Sequence, residues 1–249
     1  MTGLIGPTGS GKSTLLQHLN GLLTPSSGKV FFREQDISGS GFSVSSLCRK
    51  VGMVFQYPEY QLFGMDVLSD VMFGPLNTGM SQEEALASAR EALLLMGIGE
   101  TDFSKSPFEL SGGQKRRVAI AGVLAMHPDV LVLDEPMAGL DQAGQYELTR
   151  QLLHMKDELA TTIVWSSHSM EDMARYADHL LVMSGGALVR SGSPRDVFAE
   201  IDYLESIGLA PSEAVYVIRD LKSRGLLPED AFAITAEEAA QVILKAYRG

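Results

Sequence analysis

A lysine and a serine set directly after a run of glycines are the first residues here with chemistry to perform. In GPTGSGKST, Gly6 to Thr14, the spacing G-x-x-x-x-G-K-[ST] is met by Gly6, Gly11, Lys12 and Ser13. Gly9 and Gly11 accept backbone angles that a side chain would forbid. The segment Gly6, Pro7, Thr8, Gly9, Ser10, Gly11 can therefore wrap an anion with its N–H groups turned inward. A helix starting near Lys12 aims its partly positive end at the same anion. Lys12 adds a full charge for the outer phosphates, and Ser13, next to Thr14, offers a hydroxyl to Mg²⁺. The plain alternative is a glycine-rich turn that matches by chance.

A second glycine pair stands in LSGGQKRR, Leu110 to Arg117. Ser111 is an N-cap candidate, Gly112 and Gly113 leave backbone amides bare, and a long apolar helix follows. Two phosphate-binding ends in one chain imply either two anions or one anion held between two copies. The plain alternative is a helix cap with no ligand. VLVLDEP, Val130 to Pro136, is an apolar strand ending in two acids. Asp134 at such a strand end suits Mg²⁺ beside Ser13, and Glu135 can take a proton from an attacking water. His168 follows the strand TTIVWSS, at the strand end where open α/β sheets keep their sites.

The elements that must position these residues are legible by period and punctuation. Strands are expected at Val30–Arg33 and Val51–Phe55, with a loop or small exposed element over Glu34–Ser46. VLSDVMFGP reads as a short helix stopped at Pro75. Ser81 to Met96, Ser111 to Met126, Gln142 to Glu158 and Ser169 to Tyr176 read as helices, the first with a serine cap, early glutamates and Gly97 behind it. HLLVM and ALVRS, split by Ser184-Gly185-Gly186, predict a hairpin. Strands alternating with helices predict an α/β fold with a mostly parallel sheet. From Pro194 onward short helices separated by Gly and Pro predict a small helical appendage.

The chain has 249 residues and a net charge of −11, which argues against a nucleic-acid partner, since that needs a basic footprint. Its single cysteine, Cys48, permits no intrachain disulfide and reads as a reduced, partly buried thiol. No apolar run reaches a membrane span and no leader pattern opens the chain, so a cytosolic setting is expected.

Taken together, the P-loop, Gln56 after a strand, LSGGQ, Asp134–Glu135, AGLD (Ala138 to Asp141) and His168 stand in the order of the ATP-binding-cassette (ABC) ATPases, which the chain resembles up to about Ser193. The resemblance implies a P-loop NTPase cassette over residues 1–193, with a helical signature subdomain at about 66–126, and a helical dimerisation region over 194–249. It implies ATP and Mg²⁺ as cofactors. The loop from Gly6 to Thr14 would hold phosphates, with Ser13, Gln56 and Asp134 serving Mg²⁺ and water. Glu135 would be the catalytic base and His168 the switch at the γ-phosphate. Ser111, Gly112, Gly113 and Gln114 would bind the γ-phosphate of a nucleotide held by a partner subunit, and Asp141 would sit in the loop linking the two sites.

QYPEYQLF, QHLNGLL, VMFGP, FELSGGQ and RRVAIAG are similar to the energy-coupling-factor transporter ATPases, more to the A-prime subunit than to its sister. That implies a homologous ATPase partner, in a homo- or heterodimer, at the cytoplasmic face of the cell membrane. It implies a membrane scaffold docking near Tyr57–Phe63 and a substrate-binding membrane component for vitamins or for cobalt or nickel ions. The alternatives are the ATPase of another importer, or a non-transport nucleotide-binding module with little turnover. The family carries an antiparallel segment and an adenine-stacking aromatic upstream of the P-loop, whereas five residues precede Gly6 here. The N-terminal antiparallel subdomain is thus expected to be largely missing, and weak ATP binding or poor folding is expected of these residues alone. Trp165 is expected in the core, and Met137, where the family usually has Thr, is expected to matter little.

Overall fold

The computed structural model describes residues 1–39, 41–159 and 161–248, and the backbone alone for Arg248. Ser40, inside the loop expected there, and Gly249, at the end of the expected appendage, lie outside the described residues. In chain order the elements are β1 (Thr2–Ile5), α1 (Lys12–Leu19), β2 (Phe31–Phe32), β3 (Gln35–Asp36), α2 (Val44–Lys50), β4 (Val51–Val54), α3 (Val67–Asn77), α4 (Gln82–Leu95) and α5 (Gly112–Leu124). They continue with β5 (Val130–Asp134), α6 (Gln142–Glu158), β6 (Thr162–Ser166), α7 (Met170–Tyr176), β7 (His179–Ser184), β8 (Ala187–Gly192), α8 (Pro194–Ala199), α9 (Ile201–Ser206), α10 (Glu213–Ser223) and α11 (Ala236–Arg248). The chain divides into two compact units, one of residues 1–12 with 166–249 and one of residues 13–165.

In the first unit β1 pairs in parallel with β7, Thr2 facing His179 and Ile5 facing Val182. Leu4 and Ile5 are fully buried, as the apolar run before the glycine loop requires. β8 pairs antiparallel with β7. The hairpin turn is Gly185-Gly186, both at positive φ (56° and 81°), the backbone a two-residue turn of matching twist demands. The Pro194 segment forms the expected short helices. Ser193 caps α8 in a reciprocal box with Asp196, and α10 packs on α11 around buried Ile218, Leu227 and Ala233.

In the second unit β4 and β5 run parallel, Val51 beside Val130 and Val54 beside Leu133, with β6 next to β5. All four β4 residues are buried, and Trp165 on β6 is fully buried. Helices α3, α4 and α5 pack on one another. Each opens on a capping box, Asp66 with Ser69, Ser81 with Glu84, and Ser111 with Gln114. Gly97 closes α4 at φ 69°, as its place predicts.

One expectation needs correction. Pro75 does not stop its helix, because α3 runs on to Asn77. Pro75 lies in the last turn, where its missing N–H forfeits a single bond, and Thr78 closes the end by donating its N–H to Gly74 O and its hydroxyl to Pro75 O (2.7 Å). The stretch Glu34–Ser46 carries small elements as well as loop, which is one of the two forms expected of it. Arg33 and Glu34, at φ 47° and 66°, turn β2 into β3, and Ser43 caps α2. Polar composition hid a hairpin whose turn residues are not the usual Asn or Gly. The Cys48 thiol is partly buried, and burial pushes it above its ordinary value.

Candidate functional site

The glycine loop Gly6–Gly11 leaves β1 and feeds α1, so its shape follows from the strand before it and the hairpin beside it. A side chain at Gly6 would stand 2.4 Å from the Met183 carbonyl of β7, so only glycine lets the loop leave the sheet there. Gly9 turns at φ 79°. Ser10 N–H closes a turn onto Pro7 O (3.1 Å), and the hairpin amide of Gly186 donates to Ser10 O (3.1 Å). Lys12 is buried, 6% exposed, and its Nζ donates to Gly6 O (2.7 Å) and Pro7 O (3.3 Å). The ammonium is thereby held within the loop. Ser10 Oγ is buried with no hydrogen-bond partner among the described residues. The first turn of α1 contains no acid, so its positive end is not neutralised, and Ser13 and Thr14 are exposed there. A buried cation and a spare hydroxyl beside a glycine loop are groups that can hold an anion.

His168 belongs to the same unit as Gly6–Lys12. It is exposed two residues past β6, with Ser167 N–H on Leu4 O (3.3 Å) before it and the Ser169 cap of α7 after it. A cavity of about 460 Å³ brings His168 together with Pro7 and Thr8. Its far wall comes from the C-terminal part, Gly208 to Pro211, Glu213 and Tyr216. Glu213 N–H donates to Glu171 Oε1 (3.1 Å) across that wall.

The carboxylates lie in the second unit with Ser13, Thr14 and Gln56. Asp134 ends β5 and is 5% exposed. Glu135, the next residue, sits at φ 49°, a left-handed backbone that is uncommon outside glycine and is a hallmark of functional turns. Gln56 Nε2 donates to Glu135 Oε2 (3.0 Å). Among the described residues no group of three or more His, Cys, Asp or Glu side chains stands ready to hold a metal. Ser13, Gln56 and Asp134 offer instead a hydroxyl, an amide and one carboxylate. That hard, sparse oxygen set suits Mg²⁺, which keeps waters and phosphate oxygens around it.

The second glycine pair opens α5. Ser111 Oγ accepts from Gln114 N–H (3.3 Å) and Gln114 Oε1 accepts from Ser111 N–H (3.0 Å), so both side chains cap the helix. A side chain at Gly112 would meet nothing within 4 Å, and one at Gly113 only ordinary contacts with Leu140 and Arg117. Ser111, Gly112, Gly113 and Asp141 line a cavity of about 670 Å³ with Arg117 on its wall. Arg117 Nε is buried without a partner among the described residues. Asp141 caps α6 by accepting from Gly144 N–H (2.8 Å). Sequence reasoning passed over Arg116, Arg117 and Glu59. The basic pair after LSGGQ was the available signal, but its partner Glu59 lies 57 residues away.

Tyr57, Tyr60 and Phe63 are exposed, Tyr60 at 84%, and Met65 and Phe73 extend the same apolar surface. Phe63 meets Phe73 edge to face with centroids 4.8 Å apart. Among the described residues no helix is long and apolar enough to cross a membrane.

Residues 1–138 match the family described as ABC transporter. An energy-coupling factor transporter ATP-binding protein, EcfA2, of Caldanaerobacter subterraneus subsp. tengcongensis is 49% identical over 248 residues, covering 99% of this chain and 86% of that protein. The structure of CbiO1 from Clostridium perfringens, described as part of the ABC transporter complex CbiONQ, is similar with a TM-score of 0.73 and 40% identity, covering 89% of this chain and 86% of that one. A dimeric ATP-binding cassette in a post-hydrolysis state, bound to ADP and Pi, is similar with a TM-score of 0.67 and 28% identity over 78% of this chain and 85% of its own.

Proposed function

The chain belongs to the ABC transporter family and, within it, to the energy-coupling-factor ATP-binding proteins, and from that premise we propose that it is the ATP-binding and ATP-hydrolysing subunit of an importer of that class. It works at the cytoplasmic face of the membrane, paired with a homologous ATPase subunit. A membrane scaffold docks on the exposed aromatics around Tyr57–Phe63, and a substrate-binding membrane component supplies a vitamin or a transition-metal ion. The observation that carries the hydrolytic reading is Glu135, set in left-handed backbone after β5 with its carboxylate held by Gln56 at 3.0 Å.

The chemistry follows from the residues. Loop amides and the Lys12 ammonium bind the β- and γ-phosphates and offset the charge that builds on the transferring phosphoryl group. Ser13 and Asp134 would hold Mg²⁺, which supplies charge neutralisation at the phosphate oxygens when bound. Glu135 accepts a proton from the water whose oxygen bonds to the γ-phosphorus while the bond to the bridging oxygen of ADP breaks, giving ADP and phosphate. His168, at the wall of the loop cavity, contacts the γ-phosphate. Ser111–Gln114 of the partner ATPase close the nucleotide from the other side, and this chain's own Ser111, Gly112, Gly113 and Gln114 do the same for the partner. Nucleotide binding then closes the pair and hydrolysis reopens it.

Glu135→Gln tests the reading in the assembled transporter. Turnover should fall about 10²- to 10³-fold while ATP still binds and an ATP-bound dimer accumulates. Unchanged turnover would remove Glu135 from the role of base.

A further inference from the structure

Arg116 is the most deeply buried charged side chain of the second unit, 1% exposed. It sits one turn into α5, directly behind the Ser111–Gln114 helix start. Its guanidinium is spent entirely on two other segments. Nε and Nη2 grip Glu59, at 3.0 Å to Oε2 and 2.6 Å to Oε1. Nη1 donates to Pro136 O (3.0 Å) and to Ala138 O. Tyr57 lies over the same group, its ring centroid 5.7 Å from Cζ. Glu59 belongs to the helical turn Pro58–Gln61, between exposed Tyr57 and Phe63. Pro136 and Ala138 belong to the loop that starts at Glu135 and ends at Asp141.

From this geometry we infer that Arg116 and Glu59 form a rigid brace that conveys movement of the aromatic docking turn to the Glu135–Asp141 loop and to the signature helix start. Arg116 is a positioning residue for hydrolysis. The inference rests on the reading that a membrane scaffold docks at Tyr57–Phe63. A planar fork bound at two oxygens resists both rotation and translation, unlike the point charge of a lysine. Because Arg116 is buried, Glu59, itself only partly exposed, cannot move away alone without leaving an uncompensated buried charge. The low-cost response to a push on Tyr60 or Phe63 is for Glu59, the guanidinium and the two loop carbonyls to move as one body. The Pro136 carbonyl is one residue past Glu135, whose left-handed backbone aims the base. A shift of that carbonyl therefore re-aims the carboxylate, and the same displacement moves Gly112 and Gly113 through α5. The brace gives the docking surface a mechanical connection to this chain's base and to the amides it turns toward a partner's nucleotide.

The test compares ATP turnover of the paired ATPase subunits alone with that of the same pair bound to the membrane scaffold in vesicles. In the unaltered protein the two rates should differ by about threefold or more, the signature of a docking turn that reaches the base. Arg116→Lys and Glu59→Gln should each bring the ratio to within about 1.5-fold of unity, with KM for ATP within about twofold and Tm within a few degrees of the unaltered pair. The double variant should do no more than either single one, as for two residues acting through one contact. A scaffold effect that survives in both variants, one that is absent from the unaltered protein, or a loss that tracks a fall in Tm would each overturn the brace. Scaffold capture by Tyr60→Ala/Phe63→Ala separates the two ideas. Undiminished capture rejects docking at the aromatics, and the brace with it. Weakened capture, with the two brace variants keeping the unaltered ratio, rejects the brace alone.

Discussion

The chain begins two helices on glycines, and the two are built for different neighbours. At the start of α1 the demand for glycine comes from inside the chain, since a methyl group at Gly6 would collide with the Met183 carbonyl at 2.4 Å. The loop's cation, Lys12, is buried against its own carbonyls. At the start of α5 no described residue crowds the glycines, and Gly112 and Gly113 have room for a side chain. Their capping is complete without them, through Ser111 and Gln114. Room at Gly112 and Gly113 is what amides offered to a group outside the chain would need. The first site takes its need for glycine at Gly6 and the seat of its cation from its own fold. The second is an open face lined by Arg117, whose Nε finds no partner among the described residues while its Nη1 pairs with Glu147.

Gly6→Ala should be the most damaging, because backbone must move to admit the methyl group. A loss of about 1–3 kcal/mol is expected, visible as a fall of several degrees in Tm together with loss of ATP binding. An unchanged melting curve would show that the loop can yield. Asp141→Ala removes the cap from α6 and should cost about 1 kcal/mol by denaturant titration, well short of Gly6→Ala. Turnover should fall further than stability does, since Asp141 borders the open face. A change in stability with turnover intact would confine Asp141 to capping.

The smallest effect concerns Asp172 in the first turn of α7. Burial pushes its carboxyl up, the Ser169 hydroxyl pulls it back, Glu171 raises it again, and Arg175 opposes that. A carboxyl raised in the folded state contributes nothing unfavourable below its ordinary value, and stability is lost as pH rises through the folded value. Asp172→Asn should therefore raise Tm slightly at neutral pH, a gain that shrinks as the pH falls toward about 4. A constant gain across that range would assign the effect to something other than ionisation.

Much of this was legible in the sequence because the chemistry is local. Gly6, Gly11, Lys12 and Ser13 announce a phosphate loop by spacing, and Ser111 with Gln114 spells a helix cap within four residues. Asp134 and Glu135 stand at the end of an apolar run that reads directly as a strand. What stayed hidden depends on contacts between distant residues or on backbone that has no spelling. Arg116 finds Glu59 from 57 positions away, and Gly6 meets Met183 only once β1 and β7 pair. The left-handed turns at Glu135, Arg33 and Glu34 are taken by residue types that rarely announce them. Pro75 was misread because its cost depends on its place in the helix, which the dipeptide alone does not reveal.

The α5 glycines are proposed to serve a nucleotide held by another chain. Gly112→Ala combined with Gly113→Ala tests it most directly, by ATP-analogue titration of the isolated chain beside turnover of the assembled ATPase pair. Expected are a Tm equal to or slightly above that of the unaltered chain, own-chain affinity within about twofold, and turnover down about tenfold or more. A loss of own-chain affinity as large as the loss of turnover would contradict it.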